Sequence, residues 1–156
     1  MKRTPLVGAL LIACASLTSM SNANAQKIDK SDAKIKATAV LGKAGPDGKQ
    51  MLTLTIDIDK GWYIYANPVG NEMFEPNRTK ITVKAKDKVA ASINYPPGTE
   101  KTIDKDKYRV YEGRVVIQIE LTRANGDNSS LEVGITVNAC DKDNCLLTGT
   151  KKLNVP

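Results

Sequence analysis

The sequence predicts an all-β protein, an antiparallel β-sandwich of two sheets. Apolar and polar residues alternate over about eight or nine short stretches, the period of strands buried on one face. Glycine, proline, asparagine and aspartate separate these stretches at regular intervals, and no long stretch has the helical period. Many short strands with frequent turns favour a two-sheet antiparallel sandwich.

The strands follow from the alternating residues in chain order. The aromatic segment at 62–65 is predicted as a short strand, followed by a loop at 67–77. Pro96-Pro97-Gly98 predicts the start of a polar loop that reaches about Lys107, and 123–130 predicts another turn. The predicted strands are 35–41, 52–58, 62–65, 81–85, 91–95, 108–111, 115–121, 131–139 and 152–155.

Residues 1–25 are predicted to be a secretory signal peptide. A basic start is followed by an apolar segment at 5–17 and by the small-residue cleavage motif Ala23-Asn24-Ala25. Residues 26–156 then form one secreted domain of 131 residues, long enough for its own core. In the alternative, Leu11-Ile12-Ala13-Cys14 is a lipoprotein cleavage site, and a lipid on Cys14 tethers the domain to a membrane.

Charge and composition exclude several functions. Residues 26–156 carry a net charge of +4, and their basic residues are mixed with acidic ones, which is typical of a solvated surface and not of a nucleic-acid site. The absence of histidine removes Ser-His-Asp and Cys-His catalysis and the commonest zinc ligand. A metal bound by the two cysteines with Asp141 and Asp143 is disfavoured, and no cofactor is predicted.

Cys140 and Cys145 flank a four-residue polar turn, with an alternating strand before it and another after it. Residues opposite each other in an antiparallel pair lie about 4.5–5.5 Å apart, so a disulfide can close without moving the backbone. A loop of about six residues stabilises a fold by only ~2 kcal/mol, which favours a redox role over a structural one. Both roles remain open from the spacing.

The alternation also assigns faces. Cys140 is expected to point away from the core or to lie where its strand ends, because the core-facing positions of that strand are odd-numbered. Trp62 and Ile64 continue the core face, so Tyr63 and Tyr65 face the other way. There they either pack across strands, or shelter a reactive group or form a docking surface.

Four motifs together resemble the N-terminal periplasmic domain of DsbD, the transmembrane thiol:disulfide interchange protein. The similarity extends over about residues 34–155. It implies an immunoglobulin-like sandwich whose cysteine pair passes electrons from a membrane thiol:disulfide transporter to thioredoxin-fold proteins in the periplasm. The motifs are Gly61-Trp62-Tyr63-Ile64-Tyr65-Ala66-Asn67-Pro68, Tyr95-Pro96-Pro97-Gly98, Tyr111-Glu112-Gly113 and Ala139-Cys140-Asp141-Lys142-Asp143-Asn144-Cys145-Leu146.

The resemblance also implies residue roles. Cys140 and Cys145 become the redox pair, with Cys145 forming mixed disulfides and Cys140 resolving them. Tyr63 and Tyr65 match aromatic residues beside the family's active site. A cap loop is expected between residues 99 and 108, where Tyr108 stands in for the family's phenylalanine.

The chain departs from the family in two further respects. Leu146-Leu147-Thr148-Gly149 follows the second cysteine where the family commonly has a Pro-Pro turn. The membrane core and the C-terminal thioredoxin domain are missing, so a free-standing module is expected. The alternatives are a secreted binding module with a structural disulfide and an enzyme with its own substrate turnover. The enzyme class open to the interchange module itself is a thiol-disulfide oxidoreductase of the protein-disulfide reductase type.

Overall fold

The fold is described from a computed structural model, which covers residues 29–124 and 126–156. The predicted signal peptide and Cys14 lie outside the described residues. The described chain contains eleven β-strands and two short 3-10 helices. In this part of the chain, no helix has the length and hydrophobicity needed to span a bilayer.

The first 3-10 helix, Ser31–Lys34, precedes the strands, and the second, Glu75–Asn77, lies between β3 and β4. In chain order the strands are β1 (Ile35–Leu41), β2 (Lys49–Ile58), β3 (Tyr63–Tyr65), β4 (Lys80–Lys84), β5 (Ala90–Asn94), β6 (Thr99–Ile103), β7 (Asp106–Glu112), β8 (Arg114–Thr122), β9 (Leu131–Val137), β10 (Ala139–Cys140) and β11 (Gly149–Val155).

The strands form three hydrogen-bonded sheets in which every pair is antiparallel. The first sheet has the order β1-β2-β8-β5, the second β10-β3-β7-β6 and the third β11-β9-β4. Only Asn138 separates β9 from β10, so the chain passes directly from the third sheet into the second. We treat these two sheets as one layer and the first sheet as the other, because residues of both pack with the first sheet in the same main core.

One hydrophobic core lies between the two layers. The even-numbered residues of β2 meet the odd-numbered residues of β8 in register, as in the pairs Leu52–Ile119 and Leu54–Ile117, and all four side chains are fully buried. The second layer contributes the odd-numbered residues of β9 together with Ile64 of β3. Because both layers bury one face of every central strand, the predicted antiparallel sandwich is confirmed.

The predicted polar loop from Pro96 to about Lys107 is wrong, because Thr99–Ile103 forms β6 and pairs with β7. This strand has no fully buried residue, so it lacks the alternation that reveals a strand in sequence. Its turn to β7 contains Asp104 at a positive φ of 55°, a conformation that aspartate adopts more readily than most residues.

Candidate functional site

The two faces of β3 and β10 lead to different environments. Ala139 pairs with Ile64, and both side chains belong to the core between the layers. The next pair is Cys140 with Tyr63, and alternation places both side chains on the outer face of the second sheet. The predicted assignment of Tyr63 and Tyr65 to a non-core face is therefore confirmed.

A second, smaller apolar cluster covers this outer face. Its ring pairs are close: the Phe74 centroid lies 5.0 Å from that of Tyr108 and 5.7 Å from that of Tyr65. The Tyr65 and Tyr108 centroids are 5.8 Å apart. The structure thus brings the predicted Tyr63, Tyr65 and Tyr108 together around Cys140. The cluster consists of Tyr65, Val69, Tyr108, Val110 and Cys140, with Tyr63 and Phe74 partly buried against it.

Phe74 is the aromatic member of the cluster that sequence reasoning missed. It lies at the start of the second 3-10 helix, in the connection from β3 to β4, and not on the β6–β7 hairpin where the cap was expected. One signal was available, since Phe74 is the sole phenylalanine of the chain and stands in a segment rich in proline, asparagine and glycine. A large apolar residue in such a loop needs a burial site.

Cys140 and Cys145 form a disulfide, with an S–S distance of 2.01 Å and a Cα–Cα distance of 4.0 Å. The two ends differ in accessibility. Cys140 is fully buried in the second cluster, whereas Cys145 is exposed. Cys140 does point away from the main core, as predicted, but it is not solvent-accessible, because the aromatic rings cover it. An incoming thiol can therefore reach the sulfur of Cys145 first.

The connection between β9 and β11 is longer than the predicted four-residue turn between two strands. β9 ends at Val137, the following β10 pairs with β3, and β11 begins at Gly149 instead of residue 152. Cys140 and Cys145 still face each other as an isolated antiparallel bridge. The pair therefore closes a small turn inside a longer connection between the two strands.

The Asp141 carboxylate shapes this turn. Its Oδ1 accepts the N–H groups of Asp143 at 2.8 Å and of Asn144 at 2.7 Å, and these bonds lower the pKa of Asp141. Because the folded pKa lies below the unfolded value of about 3.9, the bonds stabilise the turn at neutral pH. That contribution is lost only as the pH falls through the lowered pKa.

The pKa values of Tyr63 and Tyr65 lie above that of a free tyrosine. Burial raises the pKa of Tyr63, and the neighbouring Tyr108 adds to the shift; burial likewise raises the pKa of Tyr65. The Nζ of Lys101 lies 4.5 Å from the Tyr63 ring centroid and 2.7 Å from Glu112 Oε1. Lys101 thereby connects β6 to a ring that lies directly across from Cys140.

The fold and the site define a class of protein: an antiparallel sandwich that carries a half-accessible disulfide on one outer face. The family model "Thiol:disulfide interchange protein DsbD, N-terminal" matches residues 31–156. The chain belongs to this family, and its sandwich is the immunoglobulin-like fold that the resemblance implied. No curated protein matches the sequence.

Solved structures include relatives of the same fold. The N-terminal periplasmic domain of ScsB from Proteus mirabilis has a TM-score of 0.58 and 18% identity over 78% of this chain. The match covers 46% of the ScsB chain, so the present chain spans about half of that length. This likeness supports the fold alone.

Two structures from Neisseria meningitidis are less similar. The reduced form of its DsbD N-terminal domain has a TM-score of 0.45 and 15% identity, covering 80% of this chain and 86% of that one. The complex between the DsbD and PilB N-terminal domains has a TM-score of 0.46 and 15% identity, covering 74% of this chain and 80% of that one.

Proposed function

We propose that this protein is a periplasmic thiol-disulfide interchange module, which relays electrons through Cys140 and Cys145. The proposal is supported above all by the unequal ends of the disulfide, an exposed Cys145 joined to a fully buried Cys140. Membership of the DsbD N-terminal family supports the same chemistry. The partners are a membrane thiol:disulfide transporter as electron donor and thioredoxin-fold proteins as acceptors.

The exchange needs no cofactor. A donor thiolate attacks the sulfur of Cys145, the S–S bond breaks, and Cys140 leaves as a thiolate that takes up a proton. The donor's second thiol then attacks its own sulfur in the mixed disulfide and releases Cys145. The donor is oxidised to a disulfide, and two electrons and two protons have passed to the pair.

The second half transfers the electrons to an acceptor. The Cys145 thiolate attacks the acceptor disulfide and forms a mixed disulfide, which the Cys140 thiolate resolves. The acceptor leaves as a dithiol, and the Cys140–Cys145 bond forms again. Tyr63, Tyr65 and Tyr108 surround Cys140 in this scheme and keep it from reacting with other thiols.

Trapping tests the proposal. Cys140→Ala removes the resolving thiol, so a mixed disulfide between Cys145 and an oxidised thioredoxin-fold protein should accumulate and should be visible on a non-reducing gel. Cys145→Ala is the matched control, and its buried Cys140 should form no adduct. The proposal is wrong if neither variant forms adducts and the wild-type disulfide resists reduction by dithiol donors.

A further inference from the structure

Ser31 links the start of the sandwich to the segment that carries the cysteines. The residue is fully buried in the first 3-10 helix, immediately before β1. Its Oγ accepts the N–H of Ala139 at 2.8 Å and donates to the carbonyl oxygen of Leu147 at 2.8 Å. Its own N–H donates to the same Leu147 oxygen at 2.9 Å. Both the hydroxyl and the amide of Ser31 are therefore bonded to the cysteine-bearing connection.

The two bonded residues lie on opposite sides of the disulfide. Ala139 immediately precedes Cys140, and Leu147 is the second residue after Cys145. The N–H of Leu146 also donates a hydrogen bond to the carbonyl oxygen of Ala139 at 2.9 Å. This bond joins the segments before Cys140 and after Cys145 directly. The two arms of the turn are thus held together at their base by hydrogen bonds that do not involve sulfur.

The same helix also explains the glycine at the start of β11. A Cβ atom on Gly149 would overlap the backbone nitrogen and the carboxylate of Asp32, so only glycine lets the helix lie this close. The segment after Cys145 is therefore packed against the helix at Gly149 as well as bonded to it at Leu147. Asp32 therefore fills the space beside Gly149.

We infer that Ser31 is a positioning residue for the redox pair, which keeps Cys140 and Cys145 close together when their disulfide is reduced. The inference rests on the proposed function. Because the disulfide and the Ser31 bonds close the same span, each raises the effective concentration at which the other forms. Thermodynamic linkage makes this coupling reciprocal, so loss of the Ser31 bonds must make the disulfide easier to reduce.

The equilibrium with glutathione measures this coupling. Two glutathione thiols reduce the Cys140–Cys145 bond to two thiols and are joined in glutathione disulfide, so two electrons and two protons pass to the protein. In Ser31→Ala, we expect the equilibrium to shift toward the reduced protein by about 5-fold, the fold-change that corresponds to the net contribution of one hydrogen bond.

The control is Ile119→Val, which removes one methylene from the core on β8 and leaves the cysteine-bearing connection intact. A general loss of stability of similar size is typical of such a change. The control should leave the glutathione equilibrium at its wild-type value. An equal equilibrium in Ser31→Ala and Ile119→Val would overturn the inference, whereas a wild-type disulfide that glutathione cannot reduce would overturn the proposed function instead.

A second measurement uses the unmodified protein, in case Ser31→Ala does not fold. Hydrogen exchange of the Ala139 amide, which is bonded to Ser31 Oγ, is compared in the oxidised and reduced protein. If Ser31 holds the arms without the disulfide, this amide stays protected after reduction. Rapid exchange of the Ala139 amide in the reduced protein, with β8 amides still protected, would contradict the inference.

Discussion

At the scale of residues, several aromatic side chains pack in one cluster with Cys140. Cys145 is exposed, whereas Cys140 is buried with rings that come from three separate segments: β3, β7 and the connection between β3 and β4. Phe74 packs on both Tyr65 and Tyr108 and so completes this cover. Its contribution can be separated from that of its neighbour Met73, which is 68% exposed.

Phe74→Ala should uncover Cys140 without altering Cys145. We expect alkylation of Cys140 in the reduced protein to become about tenfold faster, because losing about 1.4 kcal/mol of local packing raises the open population tenfold. Native-state labelling with iodoacetamide, read by peptide mass spectrometry, gives both rates in one experiment. Met73→Ala is the control and should label as wild type. Equal Cys140 rates in the two variants would show that Phe74 does not cover the thiol.

At the scale of elements, the β6–β7 hairpin lies at the edge of the sheet that contains Cys140. β6 pairs only with β7 within the described chain and buries no residue fully. Lys101 contacts both Glu112 and the Tyr63 ring, whereas Lys107 of the same hairpin pairs only with the exposed Glu100 at 2.9 Å. The two lysines form a natural pair for comparison.

Lys101→Met should loosen this hairpin, and Lys107→Met should not. An exposed ion pair contributes about 0–1 kcal/mol, and the cation–π contact of Lys101 adds about 0.5–1 kcal/mol that Lys107 lacks. Amide hydrogen exchange across residues 99–108 should therefore accelerate several-fold in Lys101→Met alone. The β1–β2 amides serve as the internal reference. Similar acceleration in both variants would mean that the Tyr63 contact adds nothing.

The elements that the sequence predicts correctly are those with one buried face. β1, β2, β8 and β9 alternate because their inner residues meet the opposite layer, and this constraint is visible residue by residue. β6 has no buried face, so it forms a strand only because it pairs with β7. The residue types of β6 do not predict this pairing. The ring contacts of Phe74 likewise depend on a loop that folds back over a sheet. The alternation of apolar and polar residues within strands carries no information about such a loop.

The candidate site follows the same division. The faces of Tyr63 and Cys140 are predicted correctly, because both lie in strands whose other face enters the core. The burial of Cys140 is not, since its cover comes from residues distant in sequence, such as Val69 and Tyr108. The alternation of apolar residues thus predicts the face on which a side chain lies, whereas tertiary packing decides whether that side chain is exposed to solvent.

For the whole molecule, the separation of the two apolar clusters decides how far reduction of the disulfide can affect the stability of the fold. The large core between the layers includes residues from both layers, whereas Cys140 belongs to the small cluster outside it. The disulfide joins residues only five apart in sequence. Reduction of the disulfide therefore adds little conformational entropy to the unfolded chain and leaves the main core packed. A protein that cycles between oxidised and reduced forms requires both.

Cys140→Ala/Cys145→Ala should accordingly fold to the same sandwich. The chain-entropy model assigns ~2 kcal/mol to a closed loop of about six residues, so we expect the free energy of unfolding in urea to fall by about that amount. The reduced wild-type protein should lose a similar amount, which separates the effect of the bond from that of the missing sulfur atoms. Ile119→Ala, in the main core, provides the comparison, at about 2–5 kcal/mol. A loss well above about 5 kcal/mol in the double variant, or failure of the reduced protein to fold, would mean that the disulfide is structural. If partner binding also stayed intact in the double variant, the secreted binding module would be the better description.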